Sequence, residues 1–378
     1  MDEQEAIREA IRRIREAVMG RPLKECCDSV VDEAKRLTGA DNGRLRFVDY
    51  TGTRLVPEAI RGALREEPEL AVRERGICIV GRADRLATAQ RVNDVQIDED
   101  FIAYKRRVLE WAETAERQGR HRMAEMWRNY LNRTLAELGS EMTIPILAGT
   151  NLLGILSVNA FRTNAFFPEH ETMLCDLARE VAVALLNRNA STLEDLHKTE
   201  IEMASVFELE KVAQHLAEGM QRAVEGSIPN IFLYDEGCQE EFGSPFRFLA
   251  GTGATEEERM LGAFPPRSGG MGKEAIDKHA RGEDSFVVEE YAEEASSHAS
   301  PTARDQGIKT IGCLALIFRA RIVGVVYLHF RERHFFTQNE KRMLDMFAGY
   351  AAIAVINASA LPSYAELYGN QLTRLLAG

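Results

Sequence analysis

The sequence predicts two homologous α/β domains in tandem, and three observations carry that reading. First, residues 151–187 and 321–357 repeat each other without a gap at a constant offset of 170 positions. NLLGILSVNAFRTNAFFPEHETMLCDLAREVAVALLN aligns with RIVGVVYLHFRERHFFTQNEKRMLDMFAGYAAIAVIN. Gly154 thus falls on Gly324, Phe166 on Phe336, Met173-Leu174 on Met343-Leu344, Ala178 on Ala348 and Asn187 on Asn357. A repeat this long is a domain, because solenoid units are much shorter. Second, each copy runs from a glycine-opened alternating strand through an Arg-containing turn ending in Phe to an amphipathic helix. Third, 378 residues suit two domains, and 45% hydrophobic content supplies two cores.

Along the chain, Ile7, Ile11, Ile14 and Val18 recur at helical spacing, so the N-terminus reads as an amphipathic helix. Gly20-Arg21-Pro22 interrupts it, and a second helix is expected from about Leu23 to Leu37, closed by the turn cluster Thr38 to Gly43. Leu45, Phe47 and Leu55-Val56 mark the first strands. Their counterparts in the second copy are Ile231 to Tyr234 and Phe246 to Leu249. Each domain ends in a hairpin. One turns at Ala148-Gly149-Thr150 between Thr143–Leu147 and Leu153–Val158, the other at Arg319-Ala320-Arg321 between Cys313–Phe318 and Val323–Phe330.

Residues 171–222 contain no proline and little glycine, which predicts one long helix or two abutting helices. Leu193, Leu196, Met203 and Val206 continue an apolar seam along it, and an exposed seam calls for a partner helix. A parallel homodimer through these helices is therefore expected; the alternative is a helix packed only on its own domains. The two copies also differ in one stretch. Gly81 to Gly154 spans 73 positions and Gly272 to Gly324 spans 52, so the first copy carries extra residues within 104–139. That insert is helical by pattern and holds both tryptophans, Trp111 and Trp127. It is open to three readings: a ligand lid, a dimer contact, or an enlarged core.

The repeated unit resembles the GAF domain. Gly324 to Leu328 matches that family's G-V-L-x-V strand. Phe336-Thr337-Gln338-Asn339-Glu340 matches F-[ST]-x-x-[DE], and Ala351 to Ala358 matches the helix ending A-x-A-I-x-N-A. Pro266 to Gly272, and Gly76 to Ala83 followed by Arg91 to Val95, are similar to its glycine-bearing segment before the pocket. The resemblance covers most of 20–190 and 205–360. It implies an α/β fold, more closely an α+β sandwich: a roughly six-stranded antiparallel sheet per domain, with helices on both faces. The expected organisation is a first domain over 1–190, a connecting helix at 191–210, a second domain over 205–360 and a C-terminal output helix at 361–378. That last segment suits either a stand-alone regulator or a chain cut before an effector.

Composition excludes several function classes. A net charge of −12 argues against a nucleic-acid surface, which needs a basic patch. No apolar run approaches the ~18 residues of a membrane span, and the charged N-terminus is unlike a signal peptide, so a cytoplasmic protein is expected. The six cysteines are scattered with no C-x-x-C spacing, which fits neither a zinc site nor a disulfide framework.

Strand alternation selects the candidate pocket face. Val326, Leu328 and Phe330 oppose Val325, Tyr327 and His329; Leu156, Val158 and Ala160 oppose Ile155, Ser157 and Asn159. The second set of each pair carries polar groups at matching positions, which a small ligand or neighbouring protein groups must satisfy. The family layout implies an opposite wall of Ile79, Gly81, Asn93 and Asp94 in the first domain. In the second it implies Met271, Gly272, Val288, Arg304, Ile308 and Thr310. Arg304 suits a phosphate or carboxylate, or simply the surface. Asn93-Asp94 suits a ligand contact or a turn. His329 is a ligand contact or a satisfied core histidine.

Known ligand signatures of the family find no match. The cyclic-nucleotide signature N-K-x(n)-F-x(3)-D-E is missing from both copies, no Cys-His dipeptide suits a bilin, and the eight histidines are dispersed. No cofactor is named by the sequence. Some family members reduce free methionine sulfoxide with grouped pocket cysteines; here the cysteines are too widely spaced, and a non-enzymatic role is expected. The leading expectation is a sensor that binds a small ligand and shifts the dimer's helices towards an effector domain or partner protein. The alternatives are a ligand-free dimerisation scaffold, and a thiol redox sensor requiring an accessible Cys78 or Cys26-Cys27.

Overall fold

A computed structural model describes residues 5, 8–13, 22–63, 72–204, 209–234, 244–253, 269–290 and 306–356. The chain forms two compact units, 1–189 with 335–338 and 190–334 with 339–378. Arg304, Cys238 and the 361–378 segment lie outside the described residues, as do the side chains of Leu193, Leu196, Met203 and Val206.

In the first unit, α1 (Leu23–Thr38) stops where Gly39 takes φ 63° and its N–H returns to the Lys35 carbonyl, a left-handed cap. β1 (Asn42–Val48), β2 (Arg54–Gly62) and β3 (Arg73–Glu74) follow, then α2 (Cys78–Leu86) and β4 (Gln90–Val92). The insert is α3 (Glu99–Arg117), whose N-terminus Asp98 caps by accepting from the Phe101 N–H at 3.1 Å, then α4 (His121–Asn129) and a π-helical stretch Tyr130–Leu135. The hairpin β5 (Ser140–Ala148) and β6 (Asn151–Ala160) leads into α5 (Pro168–Ala204). Every pairing is antiparallel, and the six strands run β3-β2-β1-β6-β5-β4.

One sheet face meets α1 and the start of α5. Leu45, Phe47, Met142, Ile144, Leu156 and Val158 pack there with Val30, Val31, Leu174 and Val181. These are the odd members of β1 and the even members of β5 and β6, as a two-residue period demands. The repeated glycine has a packing reason. A Cβ on Gly154 would sit 2.3 Å from the Arg46 carbonyl oxygen, and one on Gly324 2.2 Å from that of Phe232, so only glycine lets the neighbouring strands approach.

The second unit repeats the plan. It comprises α6 (Leu209–Ala223), β7 (Ile228–Tyr234), β8 (Phe246–Gly251), α7 (Met271–Ala280), β9 (Val287–Glu290), β10 (Thr310–Phe318) and β11 (Arg321–Phe330), closed by α8 over 338–356. Its sheet has five strands among the described residues, β8-β7-β11-β10-β9, one fewer than the rough expectation of six. The connecting region is helical on both sides of residues 205–208, which lie outside the described residues: α5 is described to Ala204 and α6 from Leu209.

Candidate functional site

The opposite face of the first sheet carries a polar row beside an apolar cluster of Val48, Leu55, Val80, Leu152 and Ile155, and the insert covers the polar row. On β1, Arg44 and Arg46 alternate with Leu45 and Phe47 and so project away from α1. Register then decides their company. Arg44 lies across from Ser157 and Asn42 from Asn159, while on the other side of β6 Thr143 faces Ser157 and Glu141 faces Asn159. Arg46 Nη1 donates to Ser157 Oγ at 3.2 Å, and Thr143 Oγ1 donates to Glu141 Oε1 at 3.1 Å. Cys78 and Val80 of α2, Phe101 and Tyr104 of α3, and Tyr130, Leu135 and Leu138 roof this row. The enclosed space offers the centre of a water-sized sphere about 20 Å³, more than the ~10–15 Å³ that one water needs.

Arg73 ties the roof down. Its Nη2 donates to Tyr130 Oη and its Nη1 to the Val72 carbonyl at 3.0 Å. The guanidinium carbon lies 4.9 Å from the Tyr104 ring centroid and 5.5 Å from that of Tyr130, distances at which a cation is drawn to the ring face. From those two tyrosines the aromatic contacts continue through the insert. Tyr104 meets Trp111 at 6.2 Å, Trp111 meets Trp127 at 5.2 Å and Trp127 meets Tyr130 at 6.2 Å. Four aromatic rings therefore close a circuit on one buried guanidinium.

Charge in this pocket is concentrated and buried. Arg44, Arg46, Arg73 and Glu141 are exposed by 4, 2, 5 and 5%. Burial pushes the Glu141 carboxyl above its ordinary range, against the pull of Arg44 and Arg46. Burial likewise drives the Cys78 thiol up to about 12, with Glu141 adding to the effect. Cys78 also takes φ 68°, a left-handed conformation that a non-glycine residue adopts at a cost. Asn159 is buried, and its Oδ1 has no hydrogen-bond partner.

The second domain places different residues at every equivalent position. Register through β7, β11 and β10 puts Asn230 where Arg44 stands, Phe232 for Arg46, Ile311 for Glu141, Cys313 for Thr143, Tyr327 for Ser157 and His329 for Asn159. Phe232, Ile311, Cys313 and Tyr327 pack with Met271, Ala275, Ile276, Phe246 and Val325 as one apolar core. The Tyr327 hydroxyl accepts from the Gly272 N–H at 2.8 Å, capping the first turn of α7. Tyr327 lies edge-on to Phe232 at 5.7 Å and stacks on His329 at 5.9 Å. Among the described residues, apolar side chains thus stand where the first domain carries its polar row.

The GAF domain model matches residues 22–185, and a second GAF domain model matches residues 208–355. The chain is a tandem GAF protein. GAF domains are sensory or regulatory ligand-binding modules. Among solved structures, the GAF domain of a phosphoenolpyruvate-protein phosphotransferase from Coxiella burnetii is similar at 18% identity. That match covers 50% of this chain and 96% of that one, with a TM-score of 0.38. A free methionine-R-sulfoxide reductase from Neisseria meningitidis, solved with its substrate, matches at 16% identity over 49% of this chain and 90% of that one, TM-score 0.36. No curated protein sequence matches the chain.

The residues singled out by sequence are placed as follows. Ser157 and Asn159 line the first GAF pocket. Ile79 points into the core between α2 and the insert with Val95 and Phe101. Gly81 serves close packing, because a Cβ there would lie 2.2 Å from the Gly76 carbonyl carbon. Asn93 is exposed and its carbonyl accepts from Asn164 at 2.8 Å; Asp94 caps a 3₁₀ turn by accepting from the Gln96 N–H at 3.0 Å. In the second domain Met271, Gly272, Ile308 and Tyr327 belong to the filled core or its edge, and Val288 is half-buried on β9. Thr310 accepts from the His334 N–H at 3.0 Å.

His329 is a satisfied core residue, its Nδ1 3.2 Å from Asn230 Nδ2 and 3.3 Å from the Ile228 carbonyl oxygen. Burial lowers its pKa to about 4, so the ring is neutral. Arg44, Arg46, Arg73, Glu141, Tyr104 and Tyr130 were not singled out. The signal for the first two was present as NGRLRFV, an Arg-Leu-Arg-Phe alternation whose arginines share the face of Ser157 and Asn159. Among the described residues no group of three His, Cys, Asp or Glu side chains could hold a metal, and no helix is long and apolar enough to cross a membrane.

Proposed function

We propose that this tandem GAF protein is a sensory and regulatory module whose ligand site is the first-domain pocket, with the second domain acting as a scaffold. The observation that carries this reading is the contrast between the two pockets. The first keeps a small buried space lined by Arg44, Arg46, Glu141, Ser157 and Asn159, whereas among the described residues of the second Tyr327 and Phe232 pack into an apolar cluster at the equivalent positions. A concave site with a few converging polar groups is the usual form of a small-molecule pocket. The insert is its roof, so a ligand that engages Arg73 would compete with Tyr130 and loosen or tighten the 104–139 segment.

The signal would then pass to α5 and on through helices shared by a parallel homodimer to an effector domain or partner protein. A ligand drives such a change only through its different affinities for two arrangements. Exposed Val183 and Leu186 on α5 are consistent with a partner helix there. The redox reading has less support, because Cys26, Cys27 and Cys78 are all buried and burial disfavours the reactive thiolates of Cys27 and Cys78. The test is native mass spectrometry of freshly purified full chain, with its absorbance spectrum. A dimer carrying bound small-molecule mass that dissociates on mild activation is expected. A monomer with no added mass, unresponsive to every small molecule tried, would overturn the reading.

A further inference from the structure

We infer that the first-domain pocket is a hydration site, in which one ordered water sits against the Asn159 amide and donates to its Oδ1. Such a water is independent of whether the pocket also takes a ligand. Asn159 lines the space, is 2% exposed, and its Oδ1 accepts from no protein donor. A buried acceptor without a donor is costly. The space offers a water-sized sphere's centre about 20 Å³, which one water fills with little to spare. Cavities that stay empty are apolar, whereas this one is lined by Arg44, Arg46, Glu141, Ser157 and Asn159.

A buried water takes two to four polar partners, and the lining supplies them. Ser157 Oγ accepts from Arg46 and has its own O–H to give. The Glu141 carboxyl has oxygen lone pairs beyond the one that Thr143 engages. The second domain is an internal control. His329 stands at the position of Asn159, and protein atoms satisfy it: its Nδ1 lies 3.2 Å from Asn230 Nδ2 and 3.3 Å from the Ile228 carbonyl oxygen. Tyr327, at the position of Ser157, accepts from the Gly272 N–H. Neither side chain calls for a water.

Water magnetic relaxation dispersion on full-length protein tests this, because it counts waters held for longer than the molecule takes to tumble. Wild type is compared with Asn159→Leu, a change of similar size that removes both polar atoms of the amide. One long-lived water fewer is expected in the variant, and an equal count overturns the inference. Should Asn159→Leu fail to fold by circular dichroism, a crystal structure of the wild-type chain carries the test. A single density peak about 2.5–3.2 Å from the Asn159 amide, and as close to Ser157 or Glu141, is then expected. Density too large for one water at that place overturns the hydration site and supports the ligand-site reading. An Asn159 amide bonded to protein atoms alone overturns the hydration site, while bound mass in the native spectrum still decides the ligand-site reading separately.

Discussion

Gly272→Ala tests whether the second GAF pocket is closed by its own side chains. An added Cβ would lie 2.7 Å from the Tyr327 hydroxyl, 3.4 Å from Phe246 Cζ and 3.5 Å from Val325 Cγ2. The hydroxyl cannot retreat cheaply, because its ring is held between Phe232 and His329 and it accepts from the Gly272 N–H. Overpacking of this kind costs about 1–3 kcal/mol. Replacing a helical glycine by alanine returns up to about 1 kcal/mol, so a net loss of about 1–2 kcal/mol is expected. Tyr327→Phe removes the obstructing oxygen but orphans a buried N–H, a loss of about 1–2 kcal/mol on its own. The double variant should therefore be less destabilised than the sum of the two, by about 1 kcal/mol or more. Urea denaturation followed by far-ultraviolet circular dichroism gives the energies, and hydrogen exchange across Met271–Ala280 localises them. A neutral Gly272→Ala, or additive behaviour, would show slack around Tyr327 and defeat the argument that this pocket is filled.

Three further outcomes follow from the same structure. His329, held neutral with a pKa of about 4 against an ordinary 6.5, binds its proton later than the unfolded chain does as pH falls. Its contribution is full above pH 6.5 and is lost towards pH 4, on the order of 3 kcal/mol; His329→Gln should flatten the stability–pH curve over that window, and an unchanged slope would refute the assignment. Cys78, pushed up to about 12, should resist iodoacetamide at pH 8 in native protein while half-exposed Cys175 reacts faster than it, as mapped by peptide mass; rapid native labelling of Cys78 would restore the thiol-sensor reading. Arg319 and Ala320 join β10 to β11 with φ 46° and 63°, the two left-handed positions of a type I′ turn. Ala320→Gly should raise the second domain's stability by about 1 kcal/mol, measured by urea melts, and a loss would contradict that turn.

The sequence by itself determined the duplication, the GAF family and the local elements. Gly39 ends α1, Leu156 and Val158 face the helices, and the hairpins turn near Gly149 and Ala320, because helical and strand periods and turn chemistry are local properties written in consecutive residues. Ser157 and Asn159 were legible as polar groups on a covered face for the same reason. Their neighbours were not. Arg44 meets Ser157 across more than a hundred residues of chain, and Arg73 reaches Tyr130 through an insert whose docking no short-range period encodes. The two sheets share one alternation, yet what lies above each depends on the volume of side chains arriving from distant segments. Where Tyr327 and Phe232 arrive, His329 becomes core; where Ser157 and Arg46 stand instead, a charged space remains. Tertiary structure alone decided which of the two homologous sheet faces buries a charged row and which, among the described residues, buries an apolar one.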